Sequence, residues 1–256
     1  IAAAQFHFEE AVDFYDQALR IDVHDASAWN NKGLALWELG RRDESLKCLN
    51  HALDLDRNNP EYWSNRGVCL AEAGCFELAL NDHNQAIRLN PQDAEAHYNQ
   101  SLLLLRLKQF KAGFEAYEWR WKLAKFSSPP LPTDLPRWQG PGHGRNVLLW
   151  SEQGLGDEIF YASMLTLIPI DDSRFTLSVD PRLVEIFQRS FTTFRIVSHA
   201  QAHQLLATEV FDAQAPMGSL AGILNISTES LQARKLPYLR PDAQRSLTMK
   251  KALRAV

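Results

Sequence analysis

The chain has 256 residues, enough for one or two domains with apolar cores. Its 45% apolar and 23% charged content is that of an ordinary globular protein, and no apolar run approaches the roughly 18 residues of a membrane helix. With a net charge of −4 and no strongly basic half, we expect neither nucleic-acid binding nor membrane insertion.

The three cysteines, Cys48, Cys69 and Cys75, have no metal-ligand spacing, and their odd number argues against a disulfide framework. We interpret them as small apolar residues packed between helices. Reduced thiols are typical of the cytoplasm, so we expect a cytoplasmic protein with no metal site.

Residues 1–125 repeat themselves with a period of 34. Similar residues recur at that spacing in four columns: Trp29, Trp63 and His97; Gly33, Gly67 and Ser101; Ser45, Ala79 and Gly113; Ala52, Ala86 and Arg120. Small residues let two helices cross closely, while aromatic residues and leucines fill the space between them. Because one helix pair cannot bury its own apolar face, the period predicts stacked pairs that form an α-solenoid.

Glycine and proline mark the boundaries of these pairs. Gly40 and Gly74 lie where the first helix of a pair should end, because glycine is favoured just beyond a helix C-terminus. Asn59–Pro60 and Asn90–Pro91 mark breaks between pairs, since proline cannot continue a helix interior.

The period and its columns resemble the tetratricopeptide repeat. The clearest copy is "PEYWSNRGVCLAEAGCFELALNDHNQAIRLNPQD", and the resemblance covers the end of one repeat, two full repeats and a third that runs into "GFEAYEWRWKL". This sequence departs from the family at Lys32, Arg66 and Gln100, where a leucine usually precedes the small residue.

Asn31, Asn65 and Asn99 form a further column on the predicted concave surface. An asparagine side chain offers both a donor and an acceptor, so a row of them can bind the main chain of an extended peptide. The column is similar to the asparagine ladder of the protein O-GlcNAc transferases, which implies a protein or peptide partner. The alternative, that asparagine is simply acceptable on a solvated helix face, stays open.

Residues 126–145, "FSSPPLPTDLPRWQGPGHGR", change the composition of the chain abruptly. Five of its 12 prolines and three of its 12 glycines fall here, so we expect neither a helix nor an inner strand. Trp138 is predicted to pack on a neighbouring element and fix this connector. His143 is interpreted as a solvated loop histidine.

Residues 146–256 read as alternating strands and helices. The predicted strands are 146–150, 174–180, 193–199 and 210–216, and the predicted helices are 157–168, 181–191, 218–225 and 242–255. Such alternation indicates a mostly parallel sheet covered on both faces, and hence a Rossmann-like α/β domain. The predicted fold class is therefore α plus α/β.

The turn "SEQGLGDE" follows the first of these strands, at the end where parallel sheets bind ligands. It lacks the Lys and Ser/Thr of a P-loop, and Ile159 stands where a dinucleotide fingerprint needs a small residue. Gly154 and Gly156 are expected to allow a turn that side chains would block. Asp157, at the helix start, is then either a general base or a helix cap, and local chemistry leaves both open.

The stretch "NVLLWSEQGLGDEIFYASML" is similar to the first strand, turn and helix of the heptosyltransferase-like glycosyltransferases, which are family 9-like and have the GT-B fold. It is more similar still to bacterial proteins that join tetratricopeptide repeats to such a domain. In those proteins the repeats end in a "YEWR" segment, and a "W-x-G", the "EQGLGD" turn and a "PYL" come after it in that order, as here at 117–120, 138–140, 152–157 and 237–239.

This resemblance implies a sugar-transfer site with Asp157 as general base and an acceptor side formed by the rest of the turn: Glu152, Gln153, Gly154, Leu155 and Gly156. The nucleotide-sugar donor would bind mainly in a second Rossmann-like domain beyond Val256, so we expect no cofactor and no catalysis in this chain alone. The chain opens at Ile1 inside a helical pattern, which is typical of a piece of a longer protein.

Two alternatives stay open. In one, the protein is a non-catalytic interaction scaffold whose α/β domain is inactive. In the other, it is a small-molecule transferase that uses its repeats only for assembly.

Overall fold

The structure is a computed structural model, and it describes residues 2–169, 173–233 and 236–254. The chain divides into two compact units, Ile1–Leu123 and Ala124–Val256. The last residue of the helix predicted for 242–255 lies outside the described residues.

The first unit consists of helices that pack in successive antiparallel pairs. They are α1 (Ala2–Ile21), α2 (Ala26–Glu38), α3 (Arg42–Leu55), α4 (Pro60–Glu72), α5 (Phe76–Leu89), α6 (Ala94–Arg106) and α7 (Phe110–Tyr117), followed by a 3-10 segment at Glu118–Lys122. The pairs are α2 with α3, α4 with α5 and α6 with α7, and the first helices α2, α4 and α6 are neighbours. The predicted helical repeats are confirmed.

The first helices begin at side-chain caps that recur with the period. The side chains of Asp25, Asn59 and Asp93 each accept a hydrogen bond from a backbone N–H in the first turn that follows. The same helices end at residues with left-handed backbones. Gly40 and Gly74, with φ of 76° and 82°, confirm the predicted ends, and Lys108 takes this conformation in the third repeat with φ of 60°.

The small-residue column reflects close helix crossing within each pair. A Cβ on Gly33 would lie 2.8 Å from Cγ of Leu49, and a Cβ on Gly67 would lie 3.0 Å from the His83 ring. Leu49 and His83 occupy equivalent positions 34 residues apart, and both are buried. The glycines are therefore needed because a larger side chain fills the space opposite them.

The polar residues that replace the family's leucine bond to residues 16 positions earlier. Nζ of Lys32 contacts Oδ1 of Asp16 at 2.5 Å, and Nε2 of Gln100 donates to Oδ1 of Asn84 at 2.6 Å. Nη1 of Arg66 donates to Oδ1 of Asn50 at 2.7 Å. Each bond joins the first helix of one pair to the second helix of the pair before it. Matched polar partners thus explain why leucine is dispensable at this position.

The second unit contains a parallel sheet in the order β3-β2-β1-β4. Its strands are β1 (Asn146–Trp150), β2 (Arg174–Val179), β3 (Arg195–Ser198) and β4 (Ala213–Pro216). Consecutive residues of β1, β2 and β4 are buried, so the sheet is covered on both faces. The predicted mostly parallel sheet with helices is confirmed, and the sheet is small.

The helices of this unit differ from the predictions at several boundaries. They are α8 (Leu155–Ala162), α9 (Val184–Ser190), α10 (His199–Thr208), α11 (Leu220–Ile223), α12 (Thr228–Ala233) and α13 (Ala243–Arg254). The prediction of one α-helix over 157–168 was wrong, because α8 starts two residues earlier and continues after Ala162 as a 3-10 segment. Over the described ranges, no helix is long and apolar enough to cross a membrane.

Helix α10 was missed by the sequence analysis. The strand predicted for 193–199 ends at Ser198, whose hydroxyl accepts the N–H of Gln201 while the Gln201 side chain accepts the N–H of Ser198. This reciprocal capping box turns the chain from strand to helix without an intervening glycine or proline. The helix α12 was missed as well.

The connector packs against the second unit's sheet. The N–H of Trp138 donates to the carbonyl of Gln214 at 2.8 Å, and the N–H of Gln214 donates to the carbonyl of Pro136 at 2.9 Å. The Trp138 side chain is buried and meets the Phe175 ring edge-on at 5.4 Å. The predicted anchoring role of Trp138 is confirmed, and the exposed His143 agrees with its interpretation as a loop histidine.

Candidate functional sites

The asparagine column lies on the first helices of the three repeats. Asn31 is on α2, Asn65 on α4 and Asn99 on α6, and all three are half-buried. Nδ2 of Asn65 donates to Oδ1 of Asn30 at 3.1 Å, and Nδ2 of Asn30 donates to Oδ1 of Asn31 at 3.1 Å. The buried Asn30 therefore links two members of the column across the repeat boundary.

An apolar row runs beside the asparagines. Leu34, Val68 and Leu102 each follow an asparagine by three residues, which places them on the same helix face. Val68 is 38% exposed and Leu102 is 45% exposed. The surface of α2, α4 and α6 thus offers a row of amides and a parallel row of accessible apolar side chains.

A cavity of about 320 Å³ opens on this surface between α4 and α6. Its walls are mostly apolar, and the polar groups come from His83, Asn99 and the exposed Glu72 and Arg106. The full lining is Val68, Ala71, Glu72, Phe76, His83, Asn99, Leu102, Leu103 and Arg106.

His83 on α5 also lines this cavity, and its side chain is 1% exposed. Neither ring nitrogen has a hydrogen-bond partner among the residues that the structure describes. Burial lowers the pKa of His83, so the ring is held in its neutral form. Leu49 and Tyr117 hold the equivalent positions in the neighbouring repeats. This column of large residues could have indicated from the sequence alone that His83 is buried.

A second pocket, of about 270 Å³, lies in the second unit where β1 and β2 end and α10 begins. The proline-rich part of the connector forms one wall. The pocket is lined by Ser128, Pro129, Pro130, Leu131, Pro132, Trp150, Ser151, Glu152, Gln153, Glu158, Ser178, His199, Ala202 and His203. Of the residues predicted to form an acceptor side, the structure brings Glu152 and Gln153 to this pocket.

The remaining predicted residues lie elsewhere on the turn. Gly154, Leu155, Gly156 and Asp157 are not among the lining residues. Asp157 is exposed, and its Oδ2 accepts the N–H of Gly154 at 3.2 Å, so it caps the first turn of α8.

The expectation that side chains would block the turn at its two glycines was wrong. A Cβ on Gly156 would meet nothing within 4 Å, and one on Gly154 would come no closer than 3.7 Å to Asp157. The left-handed residue of the turn is Gln153, with φ of 66°. Its N–H donates to Oγ of Ser128 at 2.6 Å, which ties the turn to the connector.

Three polar residues that the sequence analysis missed line this pocket together: Ser151, Glu158 and His199. Oγ of Ser151 lies 2.7 Å from Nε2 of His199. Oε2 of Glu158 accepts the N–H of Asp180 at 2.9 Å. Burial raises the pKa of Glu158, against the opposing effect of the hydrogen bond from Asp180.

No spacing rule predicts that these residues lie together, because Ser151 and His199 are 48 residues apart in sequence. Only the pairing of the strands that precede them brings them close. Within 2–169, 173–233 and 236–254, no group of three or more His, Cys, Asp or Glu side chains is arranged to hold a metal ion.

Family comparison agrees with the geometry of the first unit. Residues 26–59 and residues 60–93 each match a family model described as tetratricopeptide repeat. These segments are tetratricopeptide repeats. They correspond to α2 with α3 and to α4 with α5, the two full repeats that the period predicted.

Among curated proteins, the chain is similar to Protein FlbA of Caulobacter vibrioides (strain ATCC 19089 / CIP 103742 / CB 15). The two are 29% identical over an alignment that covers 58% of this chain and 27% of FlbA. The chain thus spans little more than a quarter of that relative's length.

Among solved structures, it is similar to MamA, with 22% identity, a TM-score of 0.41, and coverage of 44% of this chain and 66% of MamA. It is also similar to the first tetratricopeptide-repeat domain of Spaghetti (RPAP3), solved with an HSP90 peptide, with 26% identity and a TM-score of 0.37. That alignment covers 38% of this chain and 78% of the other.

Proposed function

We propose that the repeats bind an extended peptide segment of a partner protein along the surface of α2, α4 and α6. The observation that carries this proposal is the row of Asn31, Asn65 and Asn99 beside the apolar row, with a cavity between α4 and α6. The asparagines would bond to the peptide main chain, and the cavity would hold one apolar side chain.

The chemistry supports recognition of the main chain. Each carboxamide can donate to a peptide carbonyl and accept from a peptide N–H, and neither bond depends on the peptide's side chains. The apolar row would add affinity by removing Val68 and Leu102 from water. We therefore expect a peptide in which one apolar residue is required and most other positions are variable.

A purely structural role is the alternative for these asparagines. Asn65 and Asn31 are connected through the buried Asn30, so they also join neighbouring repeats. Asn99 takes no part in that connection and lines the cavity instead. Asn99 is therefore the residue that separates binding from assembly.

The test begins with a displayed peptide library selected on the chain, followed by affinity measurement on the strongest peptide. Replacing Asn31, Asn65 and Asn99 with Ala should weaken binding on the order of 100-fold, if three hydrogen bonds each contribute about 1 kcal/mol. Asn81→Ala, an exposed change on α5, is the matched control and should leave affinity unchanged.

Thermal unfolding separates lost binding from lost structure. If the triple variant unfolds, Asn99→Ala alone should still weaken binding about fivefold while the protein keeps its melting temperature. Wild-type affinity in a folded Asn99→Ala variant, or in a folded triple variant, would exclude this surface as the binding site.

We further propose that the second unit supplies the acceptor side of a sugar-transfer site, with Asp157 as general base and a nucleotide sugar as donor. The resemblance of its first strand, turn and helix to the heptosyltransferase-like enzymes supports this. The position of Glu152 and Gln153 in a pocket where β1 ends supports it as well.

The sugar-transfer proposal is tested in the full-length gene product with a panel of nucleotide sugars. Asp157→Asn keeps a side-chain oxygen for the N–H of Gly154, so we expect the fold to persist and transfer to fall on the order of 100-fold or more. A folded Asp157→Asn variant that transfers sugar normally would remove the general base. Absence of transfer with every donor would favour the non-catalytic scaffold.

A further inference from the structure

A row of charged residues lies on the face of α2, α4 and α6 that carries the asparagines and the apolar row. Glu38, Glu72 and Arg106 are 34 residues apart, and each follows a member of the apolar row by four residues. A spacing of four keeps them on the same helix face. All three are exposed, and each is the last residue of its helix. The charge along this row is negative in the first two repeats and positive in the third.

The guanidinium of Arg106 is held in place without an ionic partner. Arg106 lines the cavity between α4 and α6, and its Cζ lies over the Phe76 ring, 4.3 Å from the ring centroid. No residue in the described part of the chain forms a hydrogen bond or an ion pair with it. Stacking on the ring leaves the N–H donors of the guanidinium available, and a carboxylate is the group whose geometry matches them.

Glu38, at the equivalent position two repeats earlier, is an acid without a bonded cation. Among the described residues, none forms a hydrogen bond or an ion pair with its carboxylate. A negative charge is unfavourable at the C-terminus of a helix, where Glu38 lies, whereas a positive charge such as that of Arg106 is favourable there. Helix stability therefore accounts for the sign of Arg106 but not for that of Glu38.

Glu72 lies between these two residues in the row. Its Oε2 accepts a hydrogen bond from Nε1 of Trp37 at 2.6 Å, which joins α4 to α2. Glu72 and Arg106 line the same cavity, yet these two described residues form no ion pair with each other. The row thus keeps a negative end on α2 and α4 and a separate positive end on α6.

We propose that this row selects an extended peptide of opposite charge order, with a basic residue beside Glu38 and an acidic residue beside Arg106. The inference rests on the proposed peptide binding by the repeats and adds the class of partner. Bonds from asparagines to the peptide main chain do not specify which end of the peptide lies on α2. Complementary charges at the two ends of the surface specify it, because the wrong arrangement places like charges together.

A role in stability alone makes a different prediction. The stacking of Arg106 on Phe76 joins α6 to α5, with or without a bound peptide. That contact is indifferent to the charges that a peptide carries. Only recognition requires the peptide preference to follow the positions of the acid on α2 and the base on α6.

The test exchanges the two charges in the protein and the two charges in the peptide. The peptide selected on the wild type from the displayed library is compared with a mirror peptide, in which its basic and acidic residues are interchanged. Both peptides are titrated against the wild type and against the double variant Glu38→Arg with Arg106→Glu, which conserves the net charge. Each protein gives a ratio of two affinities, and a loss of active protein does not change that ratio.

We expect the wild type to bind the selected peptide on the order of tenfold more tightly than the mirror peptide at low salt, and the double variant to reverse this preference. The matched control is Glu77→Lys with Lys111→Glu. It exchanges exposed charges at equivalent positions of α5 and α7, 34 residues apart, and should keep the wild-type preference.

The outcomes distinguish this inference from peptide binding itself. Selected peptides without a charge preference, or a double variant that prefers the same peptide as the wild type, would overturn the charge selection and leave peptide binding intact. If the double variant does not fold, Glu38→Gln alone should lower the preference about threefold, and an unchanged preference would overturn the inference. A selection that yields no binding peptide would overturn both proposals.

Discussion

His83 is a titratable residue at a position where the neighbouring repeats have Leu49 and Tyr117. Its ring lies against Gly67, and its nitrogens find no partner within the described part of the chain. Burial lowers the pKa of His83 despite the opposing attraction of Asp82 and Asp93. The fold therefore holds the neutral ring, and an unfolded chain binds a proton more readily at this position.

This asymmetry predicts a loss of stability in acid. The contribution is complete above the unfolded pKa of about 6.5 and is lost as pH falls below it, because the unfolded state then binds more protons than the native one. We expect the free energy of unfolding, measured by urea unfolding, to fall between about pH 7.5 and pH 5.5. His83→Leu should reduce that fall by up to about 1 kcal/mol.

The exposed His24 is the matched control. The free energy of unfolding of His24→Gln should fall in acid as that of the wild type does. Leucine is tolerated opposite a glycine in the first repeat, where Leu49 faces Gly33, so His83→Leu should fold. An unchanged slope in His83→Leu would show that protonation of this ring does not oppose folding.

The positions of single residues were predicted best where the period of 34 assigns them to equivalent sites in each repeat. Asn31, Asn65 and Asn99 could be assigned to one surface because three copies agree on their position. The second unit offers one copy of each residue, so Asp157 could be assigned a role only by its place in a turn. Ser151, Glu158 and His199 are ordinary residues in the sequence, and only the fold brings them to one pocket.

At the scale of elements, polar bonds join helices both within a repeat and between neighbouring repeats. Within one repeat, Nε and Nη2 of Arg66 on α4 donate to the two carboxylate oxygens of Asp82 on α5, both at 2.7 Å. Asp82 is buried, while Arg66 also bonds to Asn50 on α3. The guanidinium thus neutralises a buried acid of its own repeat and also bonds to the repeat before it.

Removing the guanidinium should leave a buried acid without its cation. We expect Arg66→Ala to lower the free energy of unfolding of the repeats by about 3 kcal/mol. Restoring apolar contact at both positions, with Arg66→Leu and Asp82→Leu together, should recover most of that loss. Urea unfolding followed at the tryptophans measures both changes.

The exposed pair of Arg57 and Asp54 provides the comparison, and Arg57→Ala should cost less than about 1 kcal/mol. If Arg66→Ala and Arg57→Ala prove equally mild, the buried pair stabilises the repeats no more than an exposed pair does.

The elements of the two units were predicted with different success for a physical reason. Helix ends in the repeats are set locally, by caps such as Asp25 and by left-handed glycines such as Gly40. In the second unit, strand ends depend on partners far along the chain. The strand predicted for 210–216 pairs only from Ala213, where Val147 lies opposite.

At the scale of the whole molecule, the sequence predicted two kinds of architecture because it contains two kinds of periodicity. The period of 34 specifies helix pairs by itself, whereas the alternation after residue 146 specifies strands but not their order. The order β3-β2-β1-β4 arises from pairings such as Leu149 with Leu177 and with Ala215, which no local pattern encodes. The connector was predicted because proline and glycine act locally.

The central claim is that the repeats recognise the main chain of an extended peptide. Its most direct test is a scan of the selected peptide in which each backbone N–H in turn is replaced by N–CH₃, with affinity measured for every analogue. We predict that methylation at alternate residues weakens binding about fivefold or more at each site, as expected for losing one hydrogen bond. Alanine substitution of the peptide should weaken binding most at one apolar position. Affinity that withstands every methylation and falls with many side-chain substitutions would contradict the claim.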